Sequence, residues 1–299
     1  MALLSHLRRD LRFNAEFLQL IQTLKNIAAS QYHTLEREKE RFAEFMDAFA
    51  GFFRVVDMVE VDNPFVRPMS DVTGVVLVTS DSGFMGGLNA GVIEAGKDVQ
   101  GTQPDDKIKF IVIGEKGAMK LSEAGRAFKF FQGVSSETRF EQALEIRDYI
   151  SAEVLEHRMG RVMLVYPRAI SFTQQTIETI PLLPCGALFD KDSASEIASH
   201  VALKGWVAPA RKVVVESAFK DMVEYLAGMW VASKLFEVFE DSKLAEFAAR
   251  AMHLEESTQK LQKEHKKLKH QCFRAAHEMV DKGMRESFSS RKKKSRKVA

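Results

Sequence analysis

Apolar residues recur at alternating steps of three and four along the first fifty positions: Leu4, Leu7, Leu11, Leu18, Ile21, Ala28, Tyr32, Leu35, Phe42, Met46 and Phe49, with Asn14, Lys25 and Lys39 interrupting. That spacing places one stripe along a helix and predicts a heptad seam for packing on another helix. The same alternation returns from Leu244 through Phe247, Ala251, Leu254, Thr258, Leu261, His265, Leu268, Cys272 and Ala275 to Met279. No proline follows Pro209, so a helix from Lys212 to Phe288 is expected, about 110 Å long at the rise of an α-helix. Two seams at opposite ends of one chain pair most economically with each other, as an antiparallel coiled coil. A homodimeric coiled coil uses the same residues, although the unlike composition of the two seams favours pairing of unlike helices.

Between the seams the pattern changes. All seven prolines and fourteen of the seventeen glycines lie between Pro64 and Pro209, and both residues punctuate helices. Apolar, β-branched runs of strand length appear as VTGVVLVTS, KIKFIVIGE and GRVMLVYP, with helix-like stretches over Leu88 to Lys97, Gly117 to Gly125 and Thr138 to Arg158. Strand-like residues from Thr173 to Ile180 are expected to pair with the run ending at Tyr166. Buried strands alternating with helices define an α/β layer with a parallel sheet. The expected architecture is a Rossmann-like α/β domain over 70–190, flanked by coiled-coil helices over 1–58 and 208–288, with a disordered tail over 289–299.

Composition narrows the class. Hydrophobic residues make up 45% and charged residues 28%, and no run approaches the ~18 uncharged apolar residues of a membrane span. The N-terminal residues carry charges every few positions, without the apolar core of a secretory signal. Cys185 and Cys272 are the two cysteines, far apart and outside any ligand spacing, so neither a disulfide framework nor a zinc site is indicated, and a reducing compartment fits. The net charge of +2 conceals the ending RKKKSRK, Arg291 to Lys297, with six cations. A run this short reads as a solvated end before a nucleic-acid or lipid contact.

The sharpest local feature is TSDSGFMGGLNAGVI, Thr79 to Ile93, where a buried strand meets a glycine-rich turn and a helix. Amides at a helix N-terminus attract anions, which suggests a phosphate site. The spacing matches neither GxGxxG nor GxxxxGK[ST], and the loop carries no lysine. The structural reading is preferred: Gly83, Gly86 and Gly87 permit a tight turn and close packing. No HExxH or GxSxG occurs. His253, His265, His270 and His277 lack a consistent i, i+4 pair with a third ligand and read as coiled-coil positions. No catalytic, cofactor or metal residues are assigned.

The same segment resembles the TSDxGLxGGLN motif of the gamma subunit of F-type ATP synthases, matching at Thr79, Ser80, Asp81, Gly83, Gly86, Gly87, Leu88 and Asn89. IVIGEKG at Ile111 to Gly117 is similar to the family's IGxKG element, and Tyr166, Ser171 and Gln174 or Gln175, followed by PLLP at Pro181 to Pro184, form a third match. LRRDLR from Leu7 resembles IRRRI, KNIAAS from Lys25 resembles KMVAAS, and AEFAARAMHLEEST from Ala245 resembles SEHAARMxAMxxAT. The resemblance implies that the terminal helices form one asymmetric shaft inside a hexamer of alpha and beta subunits. It places the middle domain at the foot, with the epsilon subunit and the ring of c subunits. It further implies a peripheral, non-catalytic subunit on the cytoplasmic face of a bacterial inner membrane, without cofactor or nucleic acid, reaching the membrane only through the membrane sector. Arg8, Arg9, Arg250, His270 and Gln271 occupy the positions expected to contact the hexamer.

Departures cluster toward the shaft tip. The family's RQxxITxE stands here as His270 to His277, with the glutamine retained, and its small-residue ending is replaced by MRESFSSRKKKSRKVA. They add a second reading, the gamma subunit of a divergent, second-copy, sodium-linked ATPase. More distant readings are a nucleotide-dependent α/β enzyme with helical arms and a coiled-coil nucleic-acid-binding protein.

Overall fold

A computed structural model describes residues 2–53, 63–185 and 219–295. Helix α1 spans Ala2–Phe53. It is followed by β1 (Thr73–Val78), α2 (Leu88–Gln100), a 3-10 turn, β2 (Ile108–Ile113), α3 (Glu115–Glu123), β3 (Phe128–Phe131), α4 (Arg139–Leu155), β4 (Arg161–Ala169), β5 (Gln175–Leu183) and α5 (Phe219–Ser295). Terminal helices with a central α/β layer are the expected class. The chain divides into two compact units: residues 1–27 with 251–299, and residues 28–250.

The larger unit is organised by a five-stranded sheet in the order β3-β2-β1-β4-β5. β1 pairs in parallel with β2 and β4, and β2 in parallel with β3, while β5 returns antiparallel on β4. Every residue of β1 is buried, as a central parallel strand covered on both faces requires. The pleat sends Val76, Val78, Ile111, Ile113 and Leu164 to one face, against Ile146, Ile150 and Val154 of α4 and Leu226, Val231, Leu235 and Phe239 of α5. Val75, Leu77, Phe110 and Val112 face the other way, onto Val92 and Ile93 of α2 and Leu121 of α3. A third cluster joins Tyr32 and Leu35 of α1 to Leu244, Phe247 and Ala248 of α5, with the Phe172 ring edge-on to Tyr32 at 5.0 Å.

In the smaller unit α1 and α5 run antiparallel. The Lys25 ammonium donates to Glu255 at 2.9 Å, and Asn14 meets His265 at 3.1 Å. Position numbers across the contact therefore sum to 280 and 279, rising on one helix as they fall on the other. Every α1 seam position from Leu4 to Leu35, and every α5 seam position from Leu244 to Ala275, is buried or half-buried. Met279 is 41% exposed and lies past the seam. The side chains of Lys39, Phe42, Met46 and Phe49 lie outside the described residues, as do the first part of the expected C-terminal helix and the side chains of the basic ending.

Several boundaries differ from expectation. β3 is a strand that the apolar pattern did not announce, because two of its four residues are exposed at the sheet edge. α3 begins at Glu115, so Gly117 lies inside the helix. α5 continues to Ser295, past Phe288 and into the segment expected to be a disordered tail.

Candidate functional site

The glycine-rich segment forms a hydrogen-bonded knot at the carboxyl ends of β1 and β2. The Thr79 hydroxyl donates to the Ile113 carbonyl at 2.7 Å and accepts from the Gly117 amide at 3.0 Å. Asn89 reaches back to Ser80, its amide NH2 donating to the hydroxyl at 2.9 Å while its carbonyl accepts from the Ser80 amide at 3.2 Å. Asp81 accepts from the backbone N–H of Glu115 at 2.8 Å and from that of Gly133 at 3.1 Å. One carboxylate therefore occupies the amino end of α3, where a free anion would otherwise be drawn. The amide of Leu88, at the start of α2, is committed to the Met85 carbonyl. Ser80 and Asn89 thus satisfy one another, while Thr79 and Asp81 are committed to backbone groups of the neighbouring loops.

Close packing falls on different glycines from those expected. A Cβ at Gly117 or Gly114 would collide with Thr79, whereas Gly83 and Gly87 have open space around them. Gly86 does adopt a positive φ of 57°, and the neighbouring Phe84 takes φ 65° with its side chain exposed. The need for small residues at 114 and 117 arises from strands brought side by side, so local turn chemistry could not reveal it.

The third matched motif reaches toward α5. Tyr166 donates to Glu178 at 3.0 Å, and burial together with the nearby Asp241 and Glu178 carboxylates raises its phenol above the ordinary value. Arg168 pairs with Glu178 at 2.9 Å and with Asp241 at 3.6 Å, while Arg139 lies 3.5 Å from Glu240. Glu240 and Asp241 are consecutive buried acids of α5, each facing a cation carried by the α/β layer. Buried charge without a partner is strongly unfavourable, so these pairs bind α5 to the sheet in one orientation.

The positions expected to meet a hexamer are distributed over both units. Arg8 and Arg9 are exposed on α1, and His270 and Gln271 are exposed on α5. The 279–280 offset brings the two pairs to one level of the helix pair. Arg250 belongs to the larger unit, half-buried, ion-paired with Glu246 and stacked over Phe247 at 5.9 Å. One feature of α1 escaped the sequence reading: Phe13, Phe17, Leu20, Leu24 and Ile27 form a second stripe one position ahead of the seam. Phe13, Phe17, Leu20 and Ile27 are exposed by 38–67%, and the Phe13 and Phe17 rings stack at 6.0 Å. Its steps of four and three were visible in the sequence. Among the described residues no helix is long and apolar enough to cross a membrane, and no group of three His, Cys, Asp or Glu could hold a metal.

The larger unit is a doubly wound α/β layer, and the smaller unit is an antiparallel pair of terminal helices. The ATP synthase family model matches residues 4–286. The ATP synthase gamma chain of Nitratidesulfovibrio vulgaris strain Hildenborough is 22% identical over 253 residues, covering 80% of this chain and 81% of that one. That of Opitutus terrae is 21% identical over 253 residues, with 84% of each covered. Among solved structures, a chain of the Euglena gracilis mitochondrial ATP synthase OSCP/F1/c-ring in rotational state 3 superposes with a TM-score of 0.67 at 14% identity, over 97% of this chain and 93% of that one. A chain of the Euglena gracilis rotor in rotational state 1 gives 0.64, also at 14% identity, over 93% and 99%. This chain belongs to the ATP synthase gamma-chain family.

Proposed function

We propose that this chain is the central rotor shaft of an F-type ATP synthase, turning within an alpha/beta hexamer and standing on the c-ring with an epsilon subunit at its foot. The single observation that carries the mechanical reading is the pairing of residues from opposite ends of the chain, Lys25 with Glu255 and Asn14 with His265. It builds a shaft from two unlike helices, and unlike helices make an asymmetric surface that affects successive catalytic sites differently as it turns. The subunit itself contributes no chemistry in this reading; nucleotide sites belong to the hexamer. It sits peripherally on the cytoplasmic face of a bacterial inner membrane.

Arg8, Arg9, Arg250, His270 and Gln271 are proposed as contacts to the hexamer, and the exposed stripe from Phe13 to Ile27 as a further, apolar contact surface. The foot transmits rotation to α5 through the apolar packing around Leu235 and Phe239 and through the Arg139–Glu240 and Arg168–Asp241 pairs. The test is reconstitution with alpha, beta, epsilon and the membrane sector. ATP-driven ion pumping should depend on this chain, while the isolated chain should show no nucleotide turnover. A stable homodimer with no affinity for alpha and beta would overturn the proposal.

A further inference from the structure

The seam of the smaller unit is apolar except at Asn14 and Lys25 of α1 and at Thr258 and His265 of α5. Asn14 is buried at 6% exposure in the middle of a run of leucines, and its carbonyl oxygen lies 3.1 Å from Nδ1 of the half-buried His265, a hydrogen bond in which the imidazole donates. Lys25 meets Glu255 farther along. Thr258, the remaining polar position on the α5 side of this seam, needs no partner across it, because its hydroxyl donates to the Leu254 carbonyl one turn back at 2.8 Å. The leucines of such a seam tolerate sliding by one heptad: Leu11 and Leu18 still meet apolar residues, Ala275 and Leu268 in one direction and Leu261 and Leu254 in the other. A buried side chain amide is not indifferent: moved away from its partner, it loses a hydrogen bond without regaining water.

We infer that Asn14 and His265 are register-determining residues that select one alignment of α1 on α5 out of the heptad-shifted alternatives. In the observed alignment positions sum to 279 at this pair. A one-heptad slide in either direction changes that sum by seven. His265 then faces Ile21 or Leu7, and Asn14 faces Cys272, a weak donor, or Thr258, whose hydroxyl proton is already given to Leu254, so the Asn14 carbonyl oxygen loses the imidazole donor in either state. Both shifted states bury the imidazole against an aliphatic side chain. Lys25 and Glu255, half-exposed, add little by comparison, because water solvates either residue when the pair separates. A single buried polar position of this kind fixes register in coiled coils at some expense of stability.

Native Cys272 supplies the probe. The offset sets it opposite Leu7, so the full chain carrying Leu7→Cys should form the 7–272 disulfide under mild oxidation in high yield. Replacing both polar residues, Asn14→Leu with His265→Leu, should raise the melting temperature and lower that yield at least twofold. The chain carrying Asn14→Cys and His265→Leu should instead gain a 14–272 crosslink, which only the slid alignment allows. Restoring polarity with His265→Asn beside native Asn14 should recover the 7–272 yield. An unchanged 7–272 yield in the leucine pair would overturn the assignment, as would absence of the 14–272 product. A leucine pair that lowers both melting temperature and yield, without rescue by His265→Asn, would show that the contact only stabilises.

Discussion

The Thr79 hydroxyl accepts a hydrogen bond from the Gly117 amide at 3.0 Å and donates one to the Ile113 carbonyl at 2.7 Å, so a single side chain at the end of β1 closes the gap between β2 and α3. A methyl group at position 117 would strike that hydroxyl. Gly117→Ala is expected to destabilise the chain by about 1–3 kcal/mol, the range for overpacking a well-filled site. Thr79→Val should cost about as much, by leaving the buried Gly117 amide without its acceptor, while the Ile113 carbonyl keeps the Thr79 backbone amide. Gly83→Ala, with open space around it, should stay within about 0.5 kcal/mol. Denaturant unfolding of the three variants checks the order; equal effects at Gly83 and Gly117 would contradict the packing account.

Burial pushes the Cys185 thiol up to about 12, and its S–H donates to the Phe65 carbonyl at 3.1 Å. The unfolded thiol ionises near the ordinary cysteine value of about 8.5. The folded pKa is the higher one, so this group's stabilisation is complete below about 8.5 and is lost as pH rises from there toward 12. In a Cys272→Ser background, Cys185 should resist alkylation at pH 8 until the protein unfolds. Cys185→Ala should also flatten the alkaline decline in melting temperature. Rapid alkylation of the folded chain would refute the burial argument.

Glu153 behaves in the opposite sense. Burial pushes its carboxyl up, but hydrogen bonds from Arg158 and Lys109 outweigh burial, and its pKa lies below the ordinary glutamate value. A lowered folded pKa contributes stability that is present above the unfolded value of about 4.3 and is lost as pH falls through the folded value. Glu153→Gln should therefore narrow the difference in melting temperature between pH 6 and pH 3. If the acid limb is unchanged, other carboxylates carry it.

Phe13→Ser with Phe17→Ser removes exposed apolar area without touching the seam. Melting of the isolated chain should change little, while retention by co-expressed alpha and beta subunits should fall at least severalfold. Normal assembly of this variant would remove the stripe from the proposed contact surface.

His270→Ala with Gln271→Ala is expected to lower ATP-driven ion pumping of reconstituted complexes only partially, because a shaft that works by steric contact spreads force over many residues. Truncation before Leu254, which removes the α5 half of the seam in the smaller unit, should abolish it. Complete loss in the double alanine variant would make those two residues indispensable and refute distributed contact.

The helices at both ends, their seams, and the alternation of strand and helix between them follow from sequence alone, because a 3.5-residue periodicity and unbroken apolar, β-branched runs are local properties of the chain. The positions from Leu4 to Leu35 and from Leu244 to Ala275 were readable for that reason. The stripe from Phe13 to Ile27 was equally readable, but the stronger seam beside it masked it. β3 was not: four residues with two exposed leave no usable pattern, and only pairing with β2 makes them a strand. Nor could sequence order foretell that Asp81 holds the Gly133 amide 52 positions away, that Gly117 rather than Gly83 needs to be small, or that Asn14 meets His265. Those relationships arise only when distant segments share space, where exclusion of water makes each unpaired polar group and each additional methyl carry a cost that the local chain does not register.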